Sequence, residues 1–202
     1  MSESPAVTRL IMGLDPGSLH AGYGLITASG ANLTLVDQGR VSAPKAMVFA
    51  QRLAQIHKGL VAIVSRYRPD ALAIEDVFTF KNPKTALRLA QARGVAILAA
   101  SLASVPIFEY APNQIKNAVA GHGRAEKSQV AYMVKQILKI PLDLAPDASD
   151  ALAAAICHAN QKTLNAALGG GLNGSQKSSR SGRWRDLTPT DLAALGYKVV
   201  DN

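Results

Sequence analysis

Cysteine is almost missing from this chain. Its single thiol, Cys157, rules out an internal disulfide and fits a reducing compartment, so the cytoplasm is the expected location. Also missing is any apolar run long enough to cross a bilayer. The N-terminal MSESPAVTR lacks the basic start and apolar stretch of a secretory signal, and no membrane partner is expected. No internal repeat is present. Acidic residues are the scarcer charge, with 14 Asp plus Glu against 22 Lys plus Arg, a net charge of +8. That balance points first toward a polyanion such as nucleic acid, with a merely soluble basic protein as the lesser alternative.

What is present is the composition of a folded domain. The 202 residues are 48% hydrophobic and 18% charged, enough for one domain with a substantial core. The basicity is shared along the chain. Residues 1–161 hold 16 Lys plus Arg and 11 Asp plus Glu, and residues 162–202 hold 6 and 3.

Residues 9–16, 20–27 and 32–42 read as three strands joined by short turns at Gly17-Ser18 and at Ser29–Asn32, an antiparallel meander. From Met47 to Arg68 the period changes: Phe49, Leu53, Ile56, Leu60, Ile63, Val64 and Tyr67 recur at helical spacing until Pro69. Ala71–Ile74 is a short strand with apolar residues on both faces, as burial between layers requires. A helix from Pro83 to about Leu102 follows, with Ala86, Ala90 and Gly94 forming a smooth stripe, and then a strand over Val105–Tyr110. Helices are expected at about 112–119, 125–139 and 147–166. The sum is an α/β protein with a five-stranded mixed sheet and helices on its faces. From Gly169 the sequence GGGLNGSQKSSRSGR is a flexible basic linker. Thr188–Asp191 then resembles a helix start and Gly196 its stop. Residues 1–167 are therefore read as the folded domain and 168–202 as a flexible basic tail with a short terminal helix signal.

Four carboxylates carry the chemistry. Asp15 ends the apolar run LIMGLD just before Pro16-Gly17, and Glu75 ends the apolar strand ALAI in the same way. Charged groups leaving a core need a partner, and none is adjacent in sequence. Asp76 follows Glu75, but neighbouring strand residues face opposite ways, so only one of them can point where Asp15 points. Glu75, which directly extends the buried strand, is the choice; a solvated strand end is the competing reading. Asp147 and Asp150 stand three apart at the start of an apolar helix and so share a face. An N-cap at Asp147 accounts for one of them but not for both. Such an oxygen-only cluster suits Mg²⁺, with Mn²⁺ as substitute. Two ions about 3.5–4 Å apart can activate water and stabilise the leaving oxygen of a phosphodiester. A basic protein with such a centre reads as a nuclease.

These segments resemble a known family. Residues 11–26 (IMGLDPGSLHAGYGLI), 74–78 (IEDVF), 91–99 (QARGVAILA), 123–130 (GRAEKSQV) and 147–152 (DASDAL) are similar, in order, to the RuvC-type Holliday junction resolvases. The resemblance implies a ribonuclease-H-like fold and a homodimer that cuts four-way junctions symmetrically, leaving 5′-phosphates, with a branch-migration complex of the RuvA and RuvB type as partner. It implies a catalytic and metal-binding tetrad of Asp15, Glu75, Asp147 and Asp150. It also places Phe78 in a junction-contacting loop and matches Lys116 and Lys127 to basic positions that contact DNA near the active site. Within QARG, it implies that Gly94 allows close helix packing across the dimer.

Other candidate contacts rest on local pattern. Lys81 and Lys84 beside Phe78 and Phe80 suggest an aromatic-basic loop that can stack on an unpaired base, against an ordinary core role for both aromatics. Arg124, Lys127 and Ser128 lie in a glycine-flexed loop entering a helix, where backbone amides favour phosphate. His20 and His122 read as solvated turn residues rather than metal ligands, and His158 as a core or surface residue. Trp184 between Arg183 and Arg185 leaves the tail open as a DNA-binding arm, a docking segment or a disordered extension.

Two other function classes compete. A non-cleaving junction-binding protein of the same fold would not need an intact acidic quartet. An actin-like phosphotransferase also opens with an Asp-x-Gly turn, but it needs a duplicated domain that 202 residues cannot hold.

Overall fold

The computed structural model describes residues 8–76, 83–141 and 144–167, with side chains to 161. Phe78, Phe80, Lys81 and the tail from 168, including Trp184, lie outside the described residues.

The expected meander is β1 (Arg9–Asp15), β2 (His20–Ser29) and β3 (Asn32–Ser42). Helix α1 (Phe49–Tyr67), β4 (Ala71–Glu75), α2 (Pro83–Leu102), β5 (Ile107–Tyr110), α3 (Pro112–Ala120), α4 (Lys127–Leu138) and α5 (Pro146–Ala167) follow. The sheet order is β3-β2-β1-β4-β5. β1 pairs antiparallel with β2, and β2 with β3; β4 runs parallel to β1, and β5 to β4. This is the α/β fold and mixed sheet expected from sequence.

Several boundaries differ by one or two residues: β2 runs on to Ser29, and α4 begins at Lys127. The last strand starts at Ile107 rather than Val105, because the chain is still turning. Ser104 has φ +58°, and the Val105 N–H donates to the Ala100 carbonyl.

The alternation of strand side chains builds two cores. Met12, Leu14, Leu72 and Ile74 pack with Ile56, Leu60 and Val64 of α1 and Ala96, Ala99 and Ala100 of α2. Ile11, Ala73 and Tyr110 face the other way, onto Ile115, Val130, Val134 and the apolar residues of α5. Helices therefore cover both faces of the sheet, as period-2 strands with apolar residues on each side require.

Helix α5 lies against the sheet at unusually short range. An added Cβ on Gly13 would sit 1.8 Å from the Ala151 carbonyl oxygen, and one on Gly22 would sit 2.1 Å from that of Asp147. On Gly24 it would lie 2.4 Å from Leu152 Cδ2. Gly13 pairs with Gly24, and Asp15 with Gly22, so the three glycines form one floor for the helix. The helix answers with Ala148, Ala151 and Ala155, all fully buried.

Gly13→Ala is accordingly expected to destabilise the protein by about 3 kcal/mol, the upper range for overpacking, because the clash is with main chain and not with a movable side-chain end. Urea denaturation measures this; a loss below about 1 kcal/mol would show that α5 is free to lift away.

Candidate active site

The face that meets α5 receives every second residue of β1 and β4. Ile11 and Ala73 belong to the core on that face, while Met12, Leu14, Leu72 and Ile74 belong to the other. Asp15 and Glu75 continue the first set beyond the end of the apolar residues. The parallel register Gly13↔Ala73 and Leu14↔Ile74 brings the two strand ends level. Asp76 falls on the opposite face, where its Oδ1 lies 3.9 Å from Arg93 Nη2. The choice of Glu75 over Asp76 agrees with the geometry.

The other two carboxylates come from the first turns of α5. The helix opens at Pro146, whose missing N–H suits a first helical position. Asp147 follows inside the first turn, where a negative charge suits the helix dipole. Asp147 is thus helical and not the residue that precedes the helix. Its backbone is the part pressed onto Gly22, opposite Asp15.

The electrostatics record the convergence. The Asp15 carboxyl is raised from 3.8 to about 7, first by burial and then by the charges of Asp150, Asp147 and Glu75, with Lys127 opposing. Glu75 is also raised, by burial and then by Asp150, against the pull of Lys127 and Lys116. Lys127 Nζ donates to Asp150 Oδ2 at 2.9 Å, and the Lys127 ammonium is held above its ordinary value chiefly by that hydrogen bond. The charges of Glu75, Asp147 and Asp150 therefore all reach the Asp15 carboxyl, and that of Asp150 also reaches Glu75.

Among the described residues, no three His, Cys, Asp or Glu side chains already stand in closed metal-binding geometry. Glu75 and Asp150 line one hollow, and Asp15 stands close enough to them and to Asp147 for their charges to raise its carboxyl. Their chemistry nevertheless fits a hard divalent cation, because the donors are all oxygen and their mutual repulsion is what a cation relieves.

Lys116 and Lys127 line a small hollow together with Glu75, Asp150, Ile115 and Val130. Helix α3 stops at Gly121, whose φ of +81° suits the residue that has no Cβ. The Glu126 N–H donates to Gln129 Oε1 at 2.9 Å, which fixes the start of α4 and with it Lys127. Arg124 is exposed in the loop between these helices. Ser128 does not share the acidic hollow. It lines a separate one of about 360 Å³ with His122, Gln129, Tyr132 and Met133. Lys84 is exposed in the first turn of α2.

His158 is 2% exposed and belongs to the core, with its Nδ1 bonded to the Tyr110 hydroxyl and its ring tilted against Phe108. His20 is exposed and pairs with Ser42 Oγ at 3.0 Å. Sequence reasoning missed the roles of Gly13, Gly22 and Gly24; the usable signal was glycine on one face of two paired strands, matched by alanines in the helix that follows Asp147.

Comparison with known proteins gives one consistent family. Residues 11–158 match the family described as crossover junction endodeoxyribonuclease RuvC. A protein of that description from Geotalea uraniireducens is 48% identical over 158 residues, covering 78% of this chain and 92% of its own. One from Vibrio cholerae is 48% identical over 177 residues, covering 87% and 99%. Among solved structures, Thermus thermophilus RuvC in complex with a Holliday junction substrate superimposes with a TM-score of 0.73 at 33% identity, over 78% of this chain and 96% of that one. The yeast mitochondrial Holliday junction resolvase, at a TM-score of 0.55 and 13% identity, shares the fold.

The raised Asp15 carboxyl gives a stability signature with a definite sign. Its folded value lies above its unfolded one, so the metal-free protein loses stability as pH rises from about 4 to about 7 and is level thereafter. Asp15→Asn is expected to stabilise the metal-free protein above pH 7 by on the order of 2 kcal/mol, roughly half the full linkage value because the side chain is partly exposed. The gain vanishes near pH 4. Thermal melts across this range check it, and a variant less stable than wild type at pH 8 would contradict it.

Proposed function

The chain belongs to the RuvC family of crossover junction endodeoxyribonucleases, and from that premise we propose that it resolves four-way DNA junctions by paired, metal-dependent phosphodiester hydrolysis. The observation that supports this most is the convergence of Glu75, Asp147 and Asp150 on the half-buried Asp15 carboxyl, with Lys116 and Lys127 lining the hollow beside Glu75 and Asp150. Asp15, Glu75, Asp147 and Asp150 would hold Mg²⁺, with Mn²⁺ as substitute and two ions per site. The ions supply activation of the attacking water and charge stabilisation at the leaving oxygen.

The protein's own residues do the rest. Lys116 and Lys127 draw a backbone phosphate to the cleft. Lys127 can be recruited at little cost, because its side chain is 85% exposed and exposed ion pairs contribute only about 0–1 kcal/mol. Attack on phosphorus with departure of the 3′ oxygen leaves a 5′-phosphate, ready for ligation. Arg124, Ser128, Lys84, Phe78 and Lys81 extend contact along the arms of the junction. The protein is assigned to recombination and repair in the cytoplasm, with a branch-migration complex of the RuvA and RuvB type feeding it junctions. The 168–202 tail adds basic charge that favours DNA.

Symmetric cleavage of a junction needs two sites, and α2 offers a surface for self-association. Leu87, Leu98 and Leu102 are 62%, 47% and 55% exposed on it, and a Cβ at Gly94 would meet nothing within 4 Å. Exposed apolar residues lying along one helix favour an isologous pairing of two such helices.

With a synthetic four-way junction and Mg²⁺, wild type is expected to make symmetrical nicks that EDTA abolishes. Asp150→Asn is expected to cut at least about a thousandfold more slowly while still binding the junction. Binding without nicks at any metal concentration would instead support the non-cleaving alternative. Leu98→Glu is expected to shift the protein to monomer in light scattering and to end paired cleavage; an unchanged dimer would remove α2 from the interface.

A further inference from the structure

The strand that delivers Glu75 ends in two consecutive acids, and only one of them serves the cleft. Glu75 and Tyr110 are paired in the parallel register of β4 and β5, and the Asp76 N–H donates to the Tyr110 carbonyl at 2.8 Å. This puts Asp76 on the far face of the sheet, the face that Glu109 also uses one residue before Tyr110. Two carboxylates on adjacent strand ends and one face repel. A strand end with side-chain period 2 has a simple escape: a slip or twist by one residue exchanges Glu75 for Asp76.

Arg93, in the middle of α2, stands between the two far-face acids. Its Nη2 is 2.9 Å from Glu109 Oε2 and 3.9 Å from Asp76 Oδ1. The Arg93 side chain is 18% exposed, and its Nε and Nη2 atoms are sealed from solvent without a hydrogen-bond partner, so its hold on the two acids is the charge of the guanidinium. That charge pairs closely with Glu109 and stands at the edge of ion-pair distance from Asp76, so one cation offsets both acids. Arg93 is therefore attached to a rigid helix on one side and to the ends of β4 and β5 on the other.

We propose that Arg93 is a positioning residue that locks the register of the β4 end, holding Asp76 on the far face so that Glu75 alone enters the acidic cleft. It touches neither DNA nor the reacting atoms. The lock rests on the nuclease reading for its consequence, but its structural content can be measured without any cleavage. Without the guanidinium, Asp76 and Glu109 repel unscreened, and the Asp76–Tyr110 ladder bond opens. A further consequence follows from placement: α2 is the helix whose outward face carries Leu98, so the same element joins the association surface to Glu75.

The test compares Arg93→Met, Arg93→Lys, Asp76→Asn and the Arg93→Met/Asp76→Asn double variant of the full chain by backbone hydrogen exchange and junction cleavage. Arg93→Met is expected to speed exchange of the 72–76 segment about tenfold, to leave β1–β3 unchanged, and to raise the Mg²⁺ concentration for half-maximal nicking. Removing the repelled carboxylate in the double variant is expected to restore both readouts most of the way. Arg93→Lys should fall between, keeping the charge but not the fork, and it carries the comparison if Arg93→Met fails to fold. Asp76→Asn alone should resemble wild type. Unchanged exchange in Arg93→Met, or faster exchange across all strands without rescue by Asp76→Asn, would overturn the lock. Loss of nicking in wild type would count against the nuclease reading alone, because the exchange readout does not depend on cleavage.

Discussion

Helix α5 can seat its first turns against β1 and β2 only because Gly13, Gly22 and Gly24 leave the space a Cβ would take. The alanines of the helix complete the contact, and backbone meets backbone where most helix–sheet interfaces interpose side chains. The rest of the site follows from that short range. Asp147 and Asp150 lie beside Asp15 because the helix that carries them is pressed onto the strand that carries it. A bulkier residue at any of these glycines would move the acid pair away from the strand ends before it changed any acid.

The close approach also explains why the site resists its own charges. Bringing four carboxylates together in a half-buried cleft opposes folding, and Asp15 bears most of that strain, with its carboxyl raised to about 7. The two glycine-floored strands and the packed helix hold the group together against repulsion. Lys127 offsets part of it through Asp150, but from an exposed position where one ammonium cannot balance the set. The imbalance leaves a place for positive charge of higher density, which is the property the chemistry requires.

Much of this was legible in the residues. Apolar strands ending on Asp15 and Glu75, and Asp147 and Asp150 at a helical spacing of three, were enough to single out the four acids that the structure brings to one end of the sheet. Alternation let only one of Glu75 and Asp76 join Asp15, and Glu75 was the one that directly extended the buried strand. Other features were illegible for physical reasons. A glycine in a strand could signal a turn, a bulge or a close approach, and only the partner helix decides among them. Arg93 in QARG looked like a helix residue near a packing glycine; its two carboxylate partners come from different strands, 17 residues before it and 16 after. Ser128, adjacent to Lys127, opens to a different hollow, since neighbouring helical residues point about 100° apart.

The central claim is that the approach of α5 to the sheet turns four separate carboxylates into one cation site. Anomalous diffraction from crystals soaked in Mn²⁺ tests it most directly. The expected result is manganese density enclosed by the side chains of Asp15, Glu75, Asp147 and Asp150, absent from Gly22→Ala crystals in which the helix start is displaced. Manganese bound elsewhere, or held at the strand ends without either α5 aspartate, would contradict it.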